Sequence, residues 1–272
     1  MPPDTSESDA HEVDGDASDA NGADGLGTNP ISDRIRAGMH AELTPRRAEL
    51  RRLADAARLI IERLVATDAP DDVIARATAD LEAAAARFAG YRQGSLYGFA
   101  ETANAGDLRA MFDHSPFIGI ANPLAPPMTV EAVDGCVRAK VMFGSAYEGP
   151  PGCVHGGYVA GAFDELLGAT QSLSGAPGMT GTLSVRYENP TPLHTELRLV
   201  GELARIERRK IFVVGRMFAG DTMTASAEGI FISMKPDQFT NLAAVRDARQ
   251  AQREVSGKHA DGDGGTPTRS SG

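Results

Sequence analysis

Residues 152–173 read GCVHGGYVAGAFDELLGATQSL. From Gly156 to Leu173 this is the strongest helix in the chain. It is apolar nearly all round, with Tyr158, Val159, Ala160, Ala162, Phe163, Leu166, Leu167 and Ala169. A helix of that kind is predicted to be buried. Its only charges, Asp164 and Glu165, stand side by side in the middle. A buried carboxylate must be paired, hydrogen-bonded or protonated, because its desolvation is costly. An acid so placed on a buried helix, here Asp164 or its neighbour Glu165, is therefore a functional-site candidate. A structural salt bridge to an Arg is the plainer alternative.

The helix start strengthens the case. Val154-His155-Gly156-Gly157 leaves a loop of Gly149-Pro150-Pro151-Gly152. Two glycines let a ligand approach the backbone closely. Free N–H groups at a helix N-terminus, aided by the helix dipole, attract developing negative charge. Those are the elements of an oxyanion hole. Taken alone, a Gly-Gly pair is ordinarily a tight turn, and a lone His there is ordinarily a cap.

Around this helix the sequence has the texture of strands. Pro116, Pro123, Pro126 and Pro127 punctuate an extended entry segment. Strand-like runs follow at Thr129–Val133 and Val137–Phe143, before the helix. Four more come after it, at Thr180–Glu188, Glu196–Ile206, Ile211–Phe218 and Thr222–Met234. In the first of these four, Leu183, Val185 and Tyr187 share one face, with Ser184, Arg186 and Glu188 on the other. Asn189-Pro190, Glu207–Arg209 and Ala219–Asp221 supply the turns. Two strands, one helix and four strands predict an α+β fold with an antiparallel sheet.

Upstream, Thr44-Pro45 reads as an N-cap and first-turn pair. Leu50, Leu53, Ala57, Ile60 and Leu64 then step at helical spacing. Asp68-Ala69-Pro70-Asp71 breaks that helix and caps the next, whose stripe is Ile74, Ala77, Leu81, Ala84 and Phe88. This predicts a helical hairpin over 44–90 whose charges are solvated faces. The ends differ again. Residues 1–30 hold eight acids and no Lys or Arg, so the remaining 242 residues carry only −2 of the net −10. That acidic segment is expected to be disordered. The organisation read from the chain is thus an acidic segment 1–30, a helical extension 31–115, a sheet domain 116–240 and a mostly disordered tail 241–272. A short helix is expected over 243–254 within the tail.

Composition excludes several classes. The net charge of −10 argues against a nucleic-acid binder, whose electrostatic footprint is a basic face. It has no apolar run near the roughly 20 residues of a membrane span, and its N-terminus does not read as a signal peptide. Two cysteines, Cys136 and Cys153, do not make a disulfide scaffold. The expected location is cytoplasmic. There is no G-x-S-x-G, no P-loop, no dinucleotide fingerprint and no H-E-x-x-H. His11, His40, His114, His155, His194 and His259 lack metal-ligand spacing, so no metal site is expected.

Asp164 lies nine residues beyond His155, on the order of 13 Å along a helix axis. A general base and an oxyanion donor must both reach one carbonyl within about 3 Å. One helix cannot bring both there. If both groups act together, the site is shared between two antiparallel helices of a symmetric dimer.

Residues 116–236 resemble the hotdog-fold acyl-CoA thioesterases, in the PaaI-like branch with an HGG turn. The resemblance rests on His155-Gly156-Gly157, Asp164 at its offset from that His, and Met179-Thr180-Gly181-Thr182-Leu183. It also rests on Asn189-Pro190-Thr191-Pro192-Leu193 and on Glu207-Arg208-Arg209-Lys210-Ile211-Phe212-Val213, with Arg208 where the family commonly has Gly. It implies an antiparallel sheet wrapped round one long central helix, preceded here by the helical hairpin. It implies hydrolysis of an acyl-CoA thioester without a separate cofactor, by a homodimer or a dimer of dimers. In that reading the Gly157 N–H polarises the thioester carbonyl and His155 shapes the helix start. Asp164 activates water or attacks directly, and Thr180 hydrogen-bonds Asp164 or the water. Gly156, Arg209 and Lys210 bind substrate, the two cations meeting coenzyme A phosphates. The rivals are a non-catalytic acyl-CoA-binding module and an enoyl-thioester hydratase. The latter ranks lower because no His follows Asp164 on the helix.

Overall fold

The computed structural model describes residues 44–91, 113–176, 178–233 and 248. The expectations for residues 1–43 and, residue 248 apart, for the C-terminal tail fall outside the described residues.

Helix α1 (Pro45–Leu64) starts as its sequence predicts: the Thr44 hydroxyl accepts the Arg47 N–H at 3.3 Å, and Pro45 opens the first turn. After Asp68-Ala69-Pro70, α2 spans Asp71–Ala86. Pro70 occupies its N-cap position and offers no side-chain cap. Asp71 and Asp72 instead face the positive end of the helix from its first turn.

The sheet has six strands: β1 (Thr129–Val133), β2 (Cys136–Met142), β3 (Gly178–Tyr187), β4 (Glu196–Glu207), β5 (Lys210–Ala219) and β6 (Thr222–Ser233). Helix α3 (Gly156–Gln171) lies between β2 and β3 in the chain. The spatial order is β1-β2-β4-β5-β6-β3, and every neighbouring pair is antiparallel. This is the predicted α+β order, with one long helix against an antiparallel sheet. Asp134 and Gly135 join β1 to β2 at φ 51° and 76°. A two-residue turn of that hand matches the twist of the strands it connects.

Small residues set how closely α3 approaches the sheet. Gly201, Gly215 and Ala227 sit opposite one another across β4, β5 and β6. A Cβ on Gly201 would lie 2.2 Å from the Thr170 hydroxyl, and one on Gly215 would lie 3.1 Å from both Leu166 and Leu167. Into that trough α3 presses Val159, Phe163, Leu166 and Leu167, all buried against Leu197, Leu199, Val213, Met217 and Phe231. Each such side chain contributes about 1.5–3 kcal/mol by leaving water.

Helix α1 docks by a face the sequence reading did not choose. Its apolar stripe could pair with that of the second helix or lie on another surface, and its charges were expected to be solvated. Instead Leu53, Ile60 and Leu64 are exposed, and Ala54 is its one buried residue. Arg47 and Arg51 both hold Asp113, at 2.8 Å, with side chains only 13% and 26% exposed. Two turns on, Arg58 donates to the carbonyls of Ile120 and Asn122. The reason is the segment they meet. Residues 113–128 are irregular and interrupted by proline, so their backbone carbonyls lack ladder partners and take charged ones. None of the described residues of α2 is buried.

Candidate active site

Helix α3 is not buried all round. Its sheet side is covered, but Gly157, Tyr158 and Asp164 are exposed on the other side. The premise of a buried acid therefore fits Glu165 better than Asp164. Burial pushes the Glu165 carboxyl above the ordinary carboxylate range, the Ser115 hydroxyl opposes the shift and the Asp164 charge adds to it. Ser115 donates to Glu165 at 2.6 Å and accepts the N–H groups of Phe117 and Ile118. Glu165 thereby ties the entry segment to the central helix.

Asp164 has a different partner. Thr180 donates its hydroxyl to Asp164 at 2.9 Å, the pairing the sequence reading anticipated. Thr180 owes its position to a bulge. Thr180 pairs with Phe231 and Thr182 with Ile230, which leaves Gly181 as the extra residue. Bulges of this kind re-aim side chains. Seven residues along the same strand, Tyr187 donates to the Gly156 carbonyl at 2.9 Å. So β3 runs beside α3 and is pinned to it at both ends, a role for Tyr187 that the sequence reading missed.

His155 is the N-cap of α3, and its Nδ1 accepts the Gly157 N–H at 3.0 Å. The Gly157 donor, expected to face a substrate carbonyl, is thus turned to its own cap. A ring accepting at Nδ1 carries its proton on Nε2. Tyr158 follows in the first turn and meets Tyr147 edge-on at 4.8 Å between ring centres. Phe143 lies 5.4 Å from Tyr147 and Phe117 6.5 Å from Tyr158. Gly161 makes room for Phe117, whose ring a Cβ there would overlap. Burial, then the neighbouring Tyr158, pushes the Tyr147 hydroxyl up to about 12. This aromatic group was not read from the sequence, because its members come from three separate segments.

Glu62, from α1, reaches the same neighbourhood. Its carboxylate accepts the N–H of Ser145 at 2.9 Å and of Ala146 at 3.4 Å. Burial raises its pKa, but the Ser145 and Ala146 hydrogen bonds and the nearby His194 outweigh that and hold it below the ordinary range.

Arg209 and Lys210 stand at the β4–β5 turn. Arg209 gives both its Nε and Nη2 to the Ser233 carbonyl, at 3.2 and 3.1 Å, and Lys210 is exposed. Arg208 adopts φ 55°, which explains why Gly is common there in the family it resembles. Among the described residues no group of three or more His, Cys, Asp or Glu could hold a metal ion. No helix among them is long and apolar enough to cross a membrane. A cavity of about 950 Å³ opens at the other edge of the sheet, between β1, β2, β4 and the end of α3. None of Asp164, Thr180, His155 or Gly157 lines it.

The family model described as Thioesterase superfamily matches residues 151–226, from the Pro/Gly loop into β6. The acyl-coenzyme A thioesterase THEM5 of Homo sapiens is 32% identical over 97 residues, 35% of this chain and 39% of that protein. The acyl-coenzyme A thioesterase THEM4 of Bos taurus is 32% identical over 97 residues, again 35% of this chain and 40% of its own. The chain thus spans about two fifths of the length of these curated relatives. A crystal structure of a thioesterase superfamily protein is 35% identical, with a TM-score of 0.59, over 68% of this chain and 90% of that one. That share exceeds what the sheet and α3 alone supply.

Proposed function

The chain belongs to the thioesterase superfamily, and from that premise we propose that it hydrolyses an acyl-CoA thioester to a free acid and coenzyme A. The observation that carries the reading is the 2.9 Å hydrogen bond from Thr180 to Asp164 on the exposed side of α3. Asp164 either takes a proton from water or attacks the thioester carbon itself, expelling the coenzyme A thiolate and leaving an anhydride that water then hydrolyses, with Thr180 fixing its orientation. In the first route the water oxygen bonds to the acyl carbon, the C–S bond breaks, and the coenzyme A sulfur leaves as thiolate and is then protonated. Gly157 N–H, released from Nδ1 by a turn of the His155 ring, steadies the carbonyl oxygen. Gly156, whose missing side chain leaves room for the Tyr187 ring, is the substrate-binding position next to it. Lys210, with Arg209 beside it, meets the coenzyme A phosphates. Coenzyme A enters as part of the substrate, so no separate cofactor is invoked.

The active unit in this reading is a homodimer, with each site combining the helix start of one subunit and Asp164–Thr180 of its partner. Two observations support it. Asp164 and the helix start are two turns apart on one helix. The outer edge of β3 has no strand partner among the described residues, although Met179 and Tyr187 are exposed along that strand. A ten-residue open edge is a template for a second strand. The setting proposed is cytoplasmic, where Cys136 and Cys153 stay free thiols.

Thiol release from a panel running from acetyl- to palmitoyl-CoA tests the reading and names the acyl class. Asp164→Asn is expected to lower kcat by about 10²–10⁴-fold with its melting temperature unchanged. Binding of acyl-CoA without turnover by the wild type would make the chain a non-catalytic binding module. Full activity in Asp164→Asn would remove Asp164 from the mechanism.

A further inference from the structure

The helical extension lies outside residues 151–226, yet one of its side chains connects to the helix start. We propose that Glu62 is a positioning residue for the His155–Gly157 site, an inference that rests on the reading given above. Four hydrogen bonds, in three successive steps, link them. Glu62 accepts the N–H groups of Ser145 and Ala146 and so fixes the single turn Ser145–Tyr147. The carbonyl of Tyr147, the last residue of that turn, accepts the His155 N–H at 2.9 Å. His155 Nδ1 then accepts the Gly157 N–H. A second route runs in parallel, because the Tyr147 ring packs edge-on against Tyr158 in the first turn of α3.

The fit around the carboxylate is specific. A Cβ on Gly144 would lie 2.4 Å from Glu62 Oε2, so a side chain at 144 would push the carboxylate off the turn. His194 braces the opposite side, its Nε2 3.1 Å from the Ser145 hydroxyl and its N–H on the Phe143 carbonyl at 2.8 Å. A carboxylate that satisfies two backbone donors at once holds a turn that would otherwise leave them to water. Glu62 differs in this from Arg47, Arg51 and Arg58. Those residues anchor α1 to residues 113–122 and make no hydrogen bond in this series.

Four variants of the full chain test the assignment: Glu62→Ala, Glu62→Gln, Gly144→Ala and, as an anchoring control, Asp113→Asn. For each, kcat, KM and melting temperature are measured, with amide hydrogen exchange of peptides covering 153–159. Glu62→Ala and Gly144→Ala are expected to lower kcat on the order of ten- to a hundredfold with KM within about twofold, since misplacement of a reacting group acts on the chemical step. Exchange at 153–159 should rise while β4–β6 stay protected. Glu62→Gln, which keeps one oxygen for Ser145, should recover part of the rate. Asp113→Asn should lower the melting temperature and leave kcat in place. The proposal is overturned if Glu62→Ala leaves kcat and exchange at 153–159 at wild-type values. It is equally overturned if Asp113→Asn lowers kcat as much as Glu62→Ala does. Should the wild type turn over no acyl-CoA, the functional reading falls, and the exchange at 153–159 still decides whether Glu62 holds the helix start.

Discussion

Helices α1 and α3 both announce themselves by apolar steps at helical spacing, yet they dock by opposite chemistry. Helix α3 presses Val159, Phe163, Leu166 and Leu167 into a trough floored by Gly201, Gly215 and Ala227. Helix α1 turns Leu53, Ile60 and Leu64 outward, at 50%, 41% and 59% exposure, and lays Arg47, Arg51, Arg58 and Glu62 on the body. The difference comes from what each helix meets. A sheet face has spent its backbone donors and acceptors on its own ladder and offers only side-chain surface. An irregular segment still has carbonyls and N–H groups to satisfy, and charged side chains satisfy them. Periodicity therefore reports that a helix forms. It does not report which face docks unless the opposing surface is a sheet or another apolar helix.

Truncation of one leucine on each helix is the strongest test of that contrast. Leu166→Ala is expected to cost about 2–5 kcal/mol, the range for a fully buried leucine that leaves a cavity. Leu53→Ala should fall within about 0.5 kcal/mol of wild type, as exposed substitutions do. Urea unfolding of both variants reads the difference. If Leu53→Ala costs as much as Leu166→Ala, the stripe is covered in solution and the contrast between the helices fails.

A smaller effect is expected where the charges meet. Asp113→Ala leaves two partly buried guanidinium groups without their shared carboxylate, and a loss of about 1–3 kcal/mol is expected for groups so placed. Unfolding in urea together with limited proteolysis of α1 checks it. A loss below about 0.5 kcal/mol would class the clamp with ordinary surface ion pairs.

How much was legible follows the same division. The succession of strands along the chain, the central helix and most of the turns could be read because alternation, apolar clustering and Gly/Pro punctuation are local signals, whereas the order of the strands across the sheet was not read. The Thr180–Asp164 pair was anticipated through the family resemblance, and the bulge at Gly181 that makes it has a visible trace in the Met179-Thr180-Gly181-Thr182 sequence. The Asp134-Gly135 turn was equally open to reading from its residue types. Glu62, Tyr147 and Ser115 were not. Each acts on residues 50 to 84 positions away, or through aromatic contacts that no local pattern records. Asp164 was judged buried because a single-chain helical wheel assigns apolar sides without saying which one the sheet covers.

The smallest effect expected is a pH dependence that separates the two adjacent acids of α3. Glu165 is the more buried, its carboxyl raised by desolvation and by the Asp164 charge against the opposing Ser115 hydrogen bond. A carboxyl whose folded pKa lies above its unfolded value of about 4.3 favours folding in its protonated form. That contribution is fully present below the unfolded pKa and is lost as pH rises through the folded one. Above that window the wild type keeps a charge in a poorly solvated place. Glu165→Gln keeps an oxygen for the Ser115 hydroxyl and cannot ionise. Its stability relative to wild type should therefore improve as pH rises from about 4 to about 7.5. Other titrating groups are common to both proteins and largely cancel in the difference. Urea unfolding of the pair at the two pH values measures it, and a difference that does not move with pH would show that Glu165 is solvated in the folded protein. The same variant should keep the proposed thioesterase turnover while Asp164→Asn loses it, because the two carboxylates point about 100° apart round the helix. If Glu165→Gln is instead the inactive one, the acid tied to Ser115 does the chemistry, and the exposed Asp164–Thr180 pair is left as a surface hydrogen bond.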